Sequence, residues 1–135
     1  MEKNNFAKNK LVDYKQEDTC SLKSLYGIIK LGPKKQLAIQ LFNKKDDFHQ
    51  ISLKLGVKLP TAEVYVIDGI AAGMPVEVKT AAELLQVDCE AFDAIKSFAH
   101  KAASLREIKD AFQDIFSYNQ IRFVIACAIR GYVML

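Results

Sequence analysis

The sequence predicts a two-layer α+β domain with an N-terminal helix, an antiparallel sheet of three or four strands over about residues 36–79, and two or three C-terminal helices. Two observations predict this fold. Apolar and polar residues alternate over residues 51–59, which is typical of a strand with one buried face. After residue 80 the apolar residues recur at three- and four-residue intervals, which is typical of amphipathic helices. Because strands precede helices, the order favours α+β over α/β.

Length and composition indicate a single folded domain. The chain has 135 residues, of which 50% are hydrophobic and 26% charged, so collagen-like and wholly disordered chains are excluded. Residues 1–18 are polar and carry few apolar side chains, which predicts a mobile N-terminal tail. The predicted domain therefore covers residues 19–135.

The first predicted helix begins near Thr19. Its apolar face is formed by residues at helical spacing, namely Leu22, Leu25, Tyr26 and Ile29. Gly32 and Pro33 follow, and this pair is typical of a helix end.

The predicted sheet contains four short segments. Residues 36–42 and 51–59 form a hairpin across the polar turn 43–47, and residues 64–67 and 76–79 supply a third and a fourth strand. The connections are too short for parallel crossovers, so antiparallel pairing is expected.

Two capping boxes mark the predicted C-terminal helices. Thr80 with Glu83, and Ser104 with Glu107, have the spacing at which two side chains satisfy free backbone amides. The last segment, residues 121–135, is almost wholly apolar and is expected to be buried, as either a helix or a strand. No internal repeat is visible in the sequence.

Residues 80–98 have the apolar spacing of a helix-turn-helix, which resembles a DNA-binding motif. Two features oppose that interpretation. Gln86 occupies the turn position where glycine is usual, and the second helix would begin with the acidic residues Asp88, Glu90 and Asp93. Carboxylates there would repel phosphates, so two packed helices without a DNA-binding role are favoured.

Basic residues are concentrated in the first half of the chain. Residues 1–60 carry twelve lysines against six acids, whereas residues 61–135 carry seven basic residues against ten acids. Any polyanion would therefore bind the first half, but ordinary solvated surface lysines are the favoured explanation, because clustered arginines and interleaved aromatic residues are missing. The candidate nucleic-acid-binding residues are Lys30, Lys34, Lys35, Lys44 and Lys45.

Groups suited to catalysis or metal binding are few and scattered. Asp46, Asp47 and His49 cluster in a predicted polar turn, where such residues are common without any metal. The glycine-rich segment 69–73 lacks the lysine and hydroxyl residue of a phosphate-binding loop. The three cysteines have no zinc-ligand spacing. No catalytic residue, cofactor or metal is predicted.

The sequence predicts a cytoplasmic protein that does not contact membranes. Its longest apolar run, residues 123–129, is far shorter than the roughly 20 residues a spanning helix needs, and the N-terminus has no secretory pattern.

The leading functional hypothesis is a small intracellular, non-enzymatic adaptor, regulator or assembly component that acts through contacts with a protein partner or with itself. The apolar C-terminus supplies the candidate interface, unless it simply fills the core. The candidate interface residues are Phe123, Ile125, Ile129, Tyr132, Val133 and Leu135. The alternative is a nucleic-acid-binding regulator that uses residues 80–98 or the basic first half. A third hypothesis is a small enzyme with a site near His49.

Overall fold

A computed structural model describes residues 6–8 and 20–134 of the chain. These residues form eight α-helices and two three-residue strands, so the predicted α+β fold with a three- or four-stranded sheet is wrong. The elements are β1 (Phe6–Lys8), α1 (Cys20–Tyr26), α2 (Pro33–Asn43), α3 (Phe48–Leu55), α4 (Leu59–Ala71), α5 (Val78–Leu85), α6 (Cys89–Ala99), α7 (Leu105–Ala111), α8 (Tyr118–Ile129) and β2 (Tyr132–Met134). Apart from β1, the tail predicted over residues 1–18 lies outside the described residues.

The two strands form one short antiparallel pair. Phe6 lies opposite Met134, and Lys8 lies opposite Tyr132. The pair joins the two ends of the described chain, and the predicted strands between residues 36 and 79 take no part in it.

The alternation over residues 51–59 comes from a helix, a turn and the start of another helix. Ile51 is fully buried in α3 and Leu55 is half-buried one turn later, whereas Leu53 is 70% exposed. Gly56 then ends α3, and Leu59 begins α4. The even spacing is therefore a coincidence of three local structures, and the strand prediction is wrong there.

The other predicted strands are also helical or irregular. Residues 36–42 lie in α2, and residues 64–67 lie in α4. Residues 76 and 77 are irregular, and residues 78 and 79 begin α5. Short apolar runs fit a buried helix as well as a strand, and here burial in an all-helical core decides between them.

Helix boundaries follow local chemistry, with two corrections. Pro33 begins α2 instead of ending a helix, and α1 stops at Tyr26 before Gly27, whose φ is +97°. Thr80 lies inside α5, so it caps nothing. The second predicted box is confirmed at its cap, because the Glu107 backbone N–H donates to Ser104 Oγ at 3.1 Å.

The apolar C-terminal segment forms the centre of the fold as α8, and it ends in β2. α8 contacts α1, α4, α5, α6 and α7, and its residues 123–127 are fully buried. α4 packs between α8 and the pair α2–α3. At Gly69, α4 and α2 approach each other so closely that an added Cβ would lie 2.5 Å from Ile39 Cδ1. Within the described residues, no helix is long and apolar enough to span a membrane.

Candidate nucleic-acid interface

The helices α3 to α6 form two successive helix-turn-helix units. The first unit is α3, its turn and α4, and the second unit is α5, its turn and α6. Each helix of the second unit begins thirty positions after its counterpart: Val78 after Phe48, and Cys89 after Leu59. Both first helices have eight residues. The repeat is thus one of backbone structure.

The two turns share the same backbone geometry. Gly56 has φ 68° and ψ 36°, and its counterpart Gln86 has φ 62° and ψ 44°. The Val57 N–H donates to the Ser52 carbonyl at 3.0 Å, and the Val87 N–H donates to the Ala82 carbonyl at 2.9 Å. This six-to-one hydrogen bond after a left-handed residue is the Schellman arrangement that ends many helices. The first helix of each unit therefore ends in the same way.

The first unit carries cations at its turn. Lys58 is exposed and immediately precedes the first residue of α4. Lys54, in the last turn of α3, keeps 56% of its side chain exposed, although its Nζ lies 2.7 Å from the Asp46 carboxylate. The two lysines thus stand on either side of the turn that joins α3 to α4.

Only the first part of α4 is accessible. Leu59 and Pro60 are exposed and Thr61 is half-buried, whereas the helix is buried from Val66 to Ala71. Asn119, at the start of α8, donates through Nδ2 to the Pro60 carbonyl at 3.0 Å and to Glu63 Oε1 at 2.8 Å. The core therefore fixes α4 and leaves its N-terminal turn at the surface.

A buried polar cluster holds the second half of α4. Asp68 is buried; it accepts a hydrogen bond from the Tyr26 hydroxyl, and Lys35 Nζ lies 2.6 Å from its Oδ2. Arg122 of α8 lies over the Tyr26 ring at 5.9 Å from its centre. These contacts join α1, α2 and α8 to one carboxylate of α4. Burial, more than the hydrogen bond to Asp68, raises the pKa of Tyr26, so its hydroxyl keeps its proton.

The second unit presents acids where the first presents lysine. Asp88 occupies the position of Lys58, and its carboxylate caps α6 by accepting the Ala91 N–H at 2.8 Å. Glu90 and Asp93 follow on the exposed side of α6. Residues 80–98, whose apolar spacing resembles a helix-turn-helix, thus form two helices joined by a short turn, and the three acids are exposed at the start of the second helix.

The five predicted lysines do not form one cluster. Lys34 and Lys35 begin α2, whereas Lys44 and Lys45 follow its end, about 15 Å away along the axis. Lys35 is committed to Asp68, and Lys30 lies exposed before α2. Whether they bind nucleic acid stays a prediction.

Sequence reasoning missed Lys54 and Lys58 because residues 51–59 were interpreted as a strand. The pattern Leu55-Gly56-Val57, a glycine at a helix end between apolar residues, was the available indication.

The predicted partner interface is divided between the core and the surface. Phe123 and Ile125 are fully buried among the chain's own helices, as expected if the C-terminus fills the core. The other candidates that the structure describes are half-buried, namely Ile129, Tyr132 and Val133. Leu135 lies outside the described residues. A partner contact at the half-buried positions stays a prediction.

The residues of the third hypothesis have structural roles. Asp47 caps α3 by accepting the Gln50 N–H at 2.8 Å, and Asp46 pairs with Lys54. His49 is exposed on α3. In the part of the chain that the structure describes, no group of three potential metal ligands comes together.

Comparison with known proteins identifies the family. The model of a helix-turn-helix domain family matches residues 34–125, which include both units and most of α8. The match covers more than half of the chain, so the protein belongs to this helix-turn-helix domain family. No curated protein and no solved structure matches the chain.

Proposed function

We propose that the chain is a nucleic-acid-binding regulator that contacts double-stranded DNA through the first unit. The observation that carries the proposal is the pair Lys54 and Lys58 beside the exposed start of α4, in a chain of a helix-turn-helix family. In such motifs the N-terminal residues of the second helix approach base edges while nearby groups contact phosphates. The family match thus supports the alternative hypothesis better than the adaptor hypothesis, and it agrees with a non-enzymatic role.

Phosphate contacts dominate the proposed interaction. Lys54 and Lys58 supply cations, whereas the first turn of α4 presents Leu59, Pro60 and Thr61. None of these three side chains can make the bidentate base contacts of arginine, asparagine or glutamine, although they can contact a thymine methyl group. We therefore expect weak sequence preference and strong dependence on salt.

The test is a titration of labelled duplex DNA followed by fluorescence anisotropy at several salt concentrations. Lys58→Glu is expected to weaken binding about tenfold at ~50 mM salt and to lower the slope of log affinity against log salt by about one. The matched control is Lys101→Glu, because Lys101 is also exposed but follows α6 of the second unit. It should stay within about twofold of the unaltered protein, since its charge lies outside the proposed contact.

Two results would overturn the proposal. The first is no duplex binding by the unaltered protein at ~50 mM salt, where phosphate neutralisation is most favourable. The second is equal loss of affinity in Lys58→Glu and Lys101→Glu, which would indicate general charge attraction without a defined surface.

A further inference from the structure

The turns of the two units have the same backbone conformation but different charges beside them, and this difference bears on which unit meets DNA. At the turn, Lys58 of the first unit corresponds to Asp88 of the second, and both residues immediately precede the second helix. At the second residue of that helix, Pro60 of the first unit corresponds to Glu90 of the second. The two turns therefore differ in charge where they share a backbone conformation.

The exposed acids at the start of α6 have different surroundings from Glu63, the acid in the same part of α4. Asp93 is the counterpart of Glu63, yet Glu63 is half-buried and accepts a hydrogen bond from Asn119 at 2.8 Å. Asp93 and Glu90 are exposed on α6. A phosphate backbone at the second unit would therefore face exposed carboxylates, which repel it.

From this comparison we infer that Glu90 and Asp93 are specificity-determining residues: they exclude duplex DNA from the second unit and confine it to the first. The inference rests on the proposed function and gives it an orientation. A chain with two equivalent units would bind in two ways, whereas the charge difference leaves one. Asp88 contributes to the same field, but its carboxylate also caps α6, so it is not a suitable test residue.

The experiment transfers binding from one unit to the other. The double variant Lys54→Glu/Lys58→Glu blocks the first unit, and Glu90→Lys/Asp93→Lys is then added in the same chain. Duplex affinity at ~50 mM salt should recover at least about tenfold, because two repulsive charges are replaced by two that contact phosphates.

The matched control adds Asp110→Lys/Asp114→Lys to the same blocked chain. Asp110 and Asp114 are exposed, at 61% and 73% of their side chains, and they belong to α7 and the loop after it. This control makes the same change in net charge outside the second unit, on the neighbouring α7 and the loop after it. It should recover no more than about threefold, the gain from general attraction alone.

Three outcomes can be told apart. Absence of duplex binding by the unaltered protein contradicts the proposed function. Binding by the unaltered protein, with equal recovery from the α6 and α7 substitutions, overturns the inference and leaves the proposed function standing. Recovery only with the α6 substitutions supports both the proposed function and the inference.

Circular dichroism melting of each variant verifies that it is folded. Glu90→Gln/Asp93→Asn removes charge at nearly constant shape, so it should give a smaller gain in affinity in the same direction.

Discussion

The fold keeps the Tyr26 hydroxyl protonated. Tyr26 is buried and donates its hydroxyl proton to Asp68, and both facts raise its pKa above the ordinary value of 10.0. An unfolded tyrosine loses its proton near pH 10, whereas the folded one retains it. The native state therefore binds more protons than the unfolded state above that pH, and stability falls as the pH rises.

We expect the contribution of Tyr26 to the free energy of unfolding to be independent of pH below about pH 10 and to fall above it by at most about 1.4 kcal/mol per pH unit. Urea unfolding between pH 8 and 11, comparing the unaltered protein with Tyr26→Phe, measures this contribution. The variant should be less stable at pH 8 because it leaves Asp68 with one partner fewer, but it should lose less stability at alkaline pH. Parallel pH profiles would contradict the prediction. The buried Cys127 thiol, whose pKa burial also raises, is common to both proteins and cancels.

At the scale of elements, the two turns offer a comparison within one chain. Gly56 and Gln86 have nearly the same left-handed backbone angles, yet only glycine adopts them without steric cost. Gly56 has no other heavy atom within 4 Å of an added Cβ, so strain there is confined to the backbone.

Opposite substitutions at these turns should therefore have opposite effects. Gln86→Gly is expected to stabilise the protein by about 0.5–1 kcal/mol, and Gly56→Gln to destabilise it by about 1 kcal/mol. Chemical denaturation measures both. A change of the same sign at the two positions would show that side-chain contacts, and not the left-handed turn, decide stability there.

Element types could be predicted from the sequence only where one period extended over a whole helix. The apolar stripe around Ile108 and the cap at Ser104 correctly gave α7. The strand prediction at residues 51–59 failed because Leu53 is apolar but exposed. This residue completed an alternation of apolar and polar residues that does not correspond to alternating burial. Propensity and pattern are weak when a helix has only eight residues, since a turn at each end adds apolar positions of its own.

The sequence indicated one of the two helix-turn-helix units of the candidate site and missed the other. The apolar spacing of residues 80–98 indicated a helix-turn-helix, and two helices joined by a turn lie there. The interpretation that Asp88, Glu90 and Asp93 oppose DNA binding stays a prediction. The first unit was hidden by the strand interpretation, and with it Lys54 and Lys58. Lys35 could not be assigned from the sequence, because its partner Asp68 lies 33 positions away.

At the scale of the whole molecule, α8 determines how the units are held. Asn119 joins its N-terminus to α4 of the first unit, and Gln120 Nε2 donates to the Leu85 carbonyl at the end of α5 in the second unit, at 2.8 Å. One helix thus fixes both units from adjacent residues. Their relative orientation then depends on the integrity of the α8 core, which contains Phe123 and Cys127.

Cys127 provides a direct measure of that integrity. Cys127 is fully buried, whereas Cys20 and Cys89 are exposed, so Cys20→Ser/Cys89→Ser leaves one thiol in the centre of the fold. If the core opens only by global unfolding, its reaction with a thiol reagent should be at least about a thousandfold slower in the native protein than in the unfolded chain. The logarithm of the rate should also rise linearly with urea, with the slope of the equilibrium unfolding transition. A fast reaction that urea does not accelerate would instead mean that α8 opens locally, and the two units would then not be held in a fixed orientation.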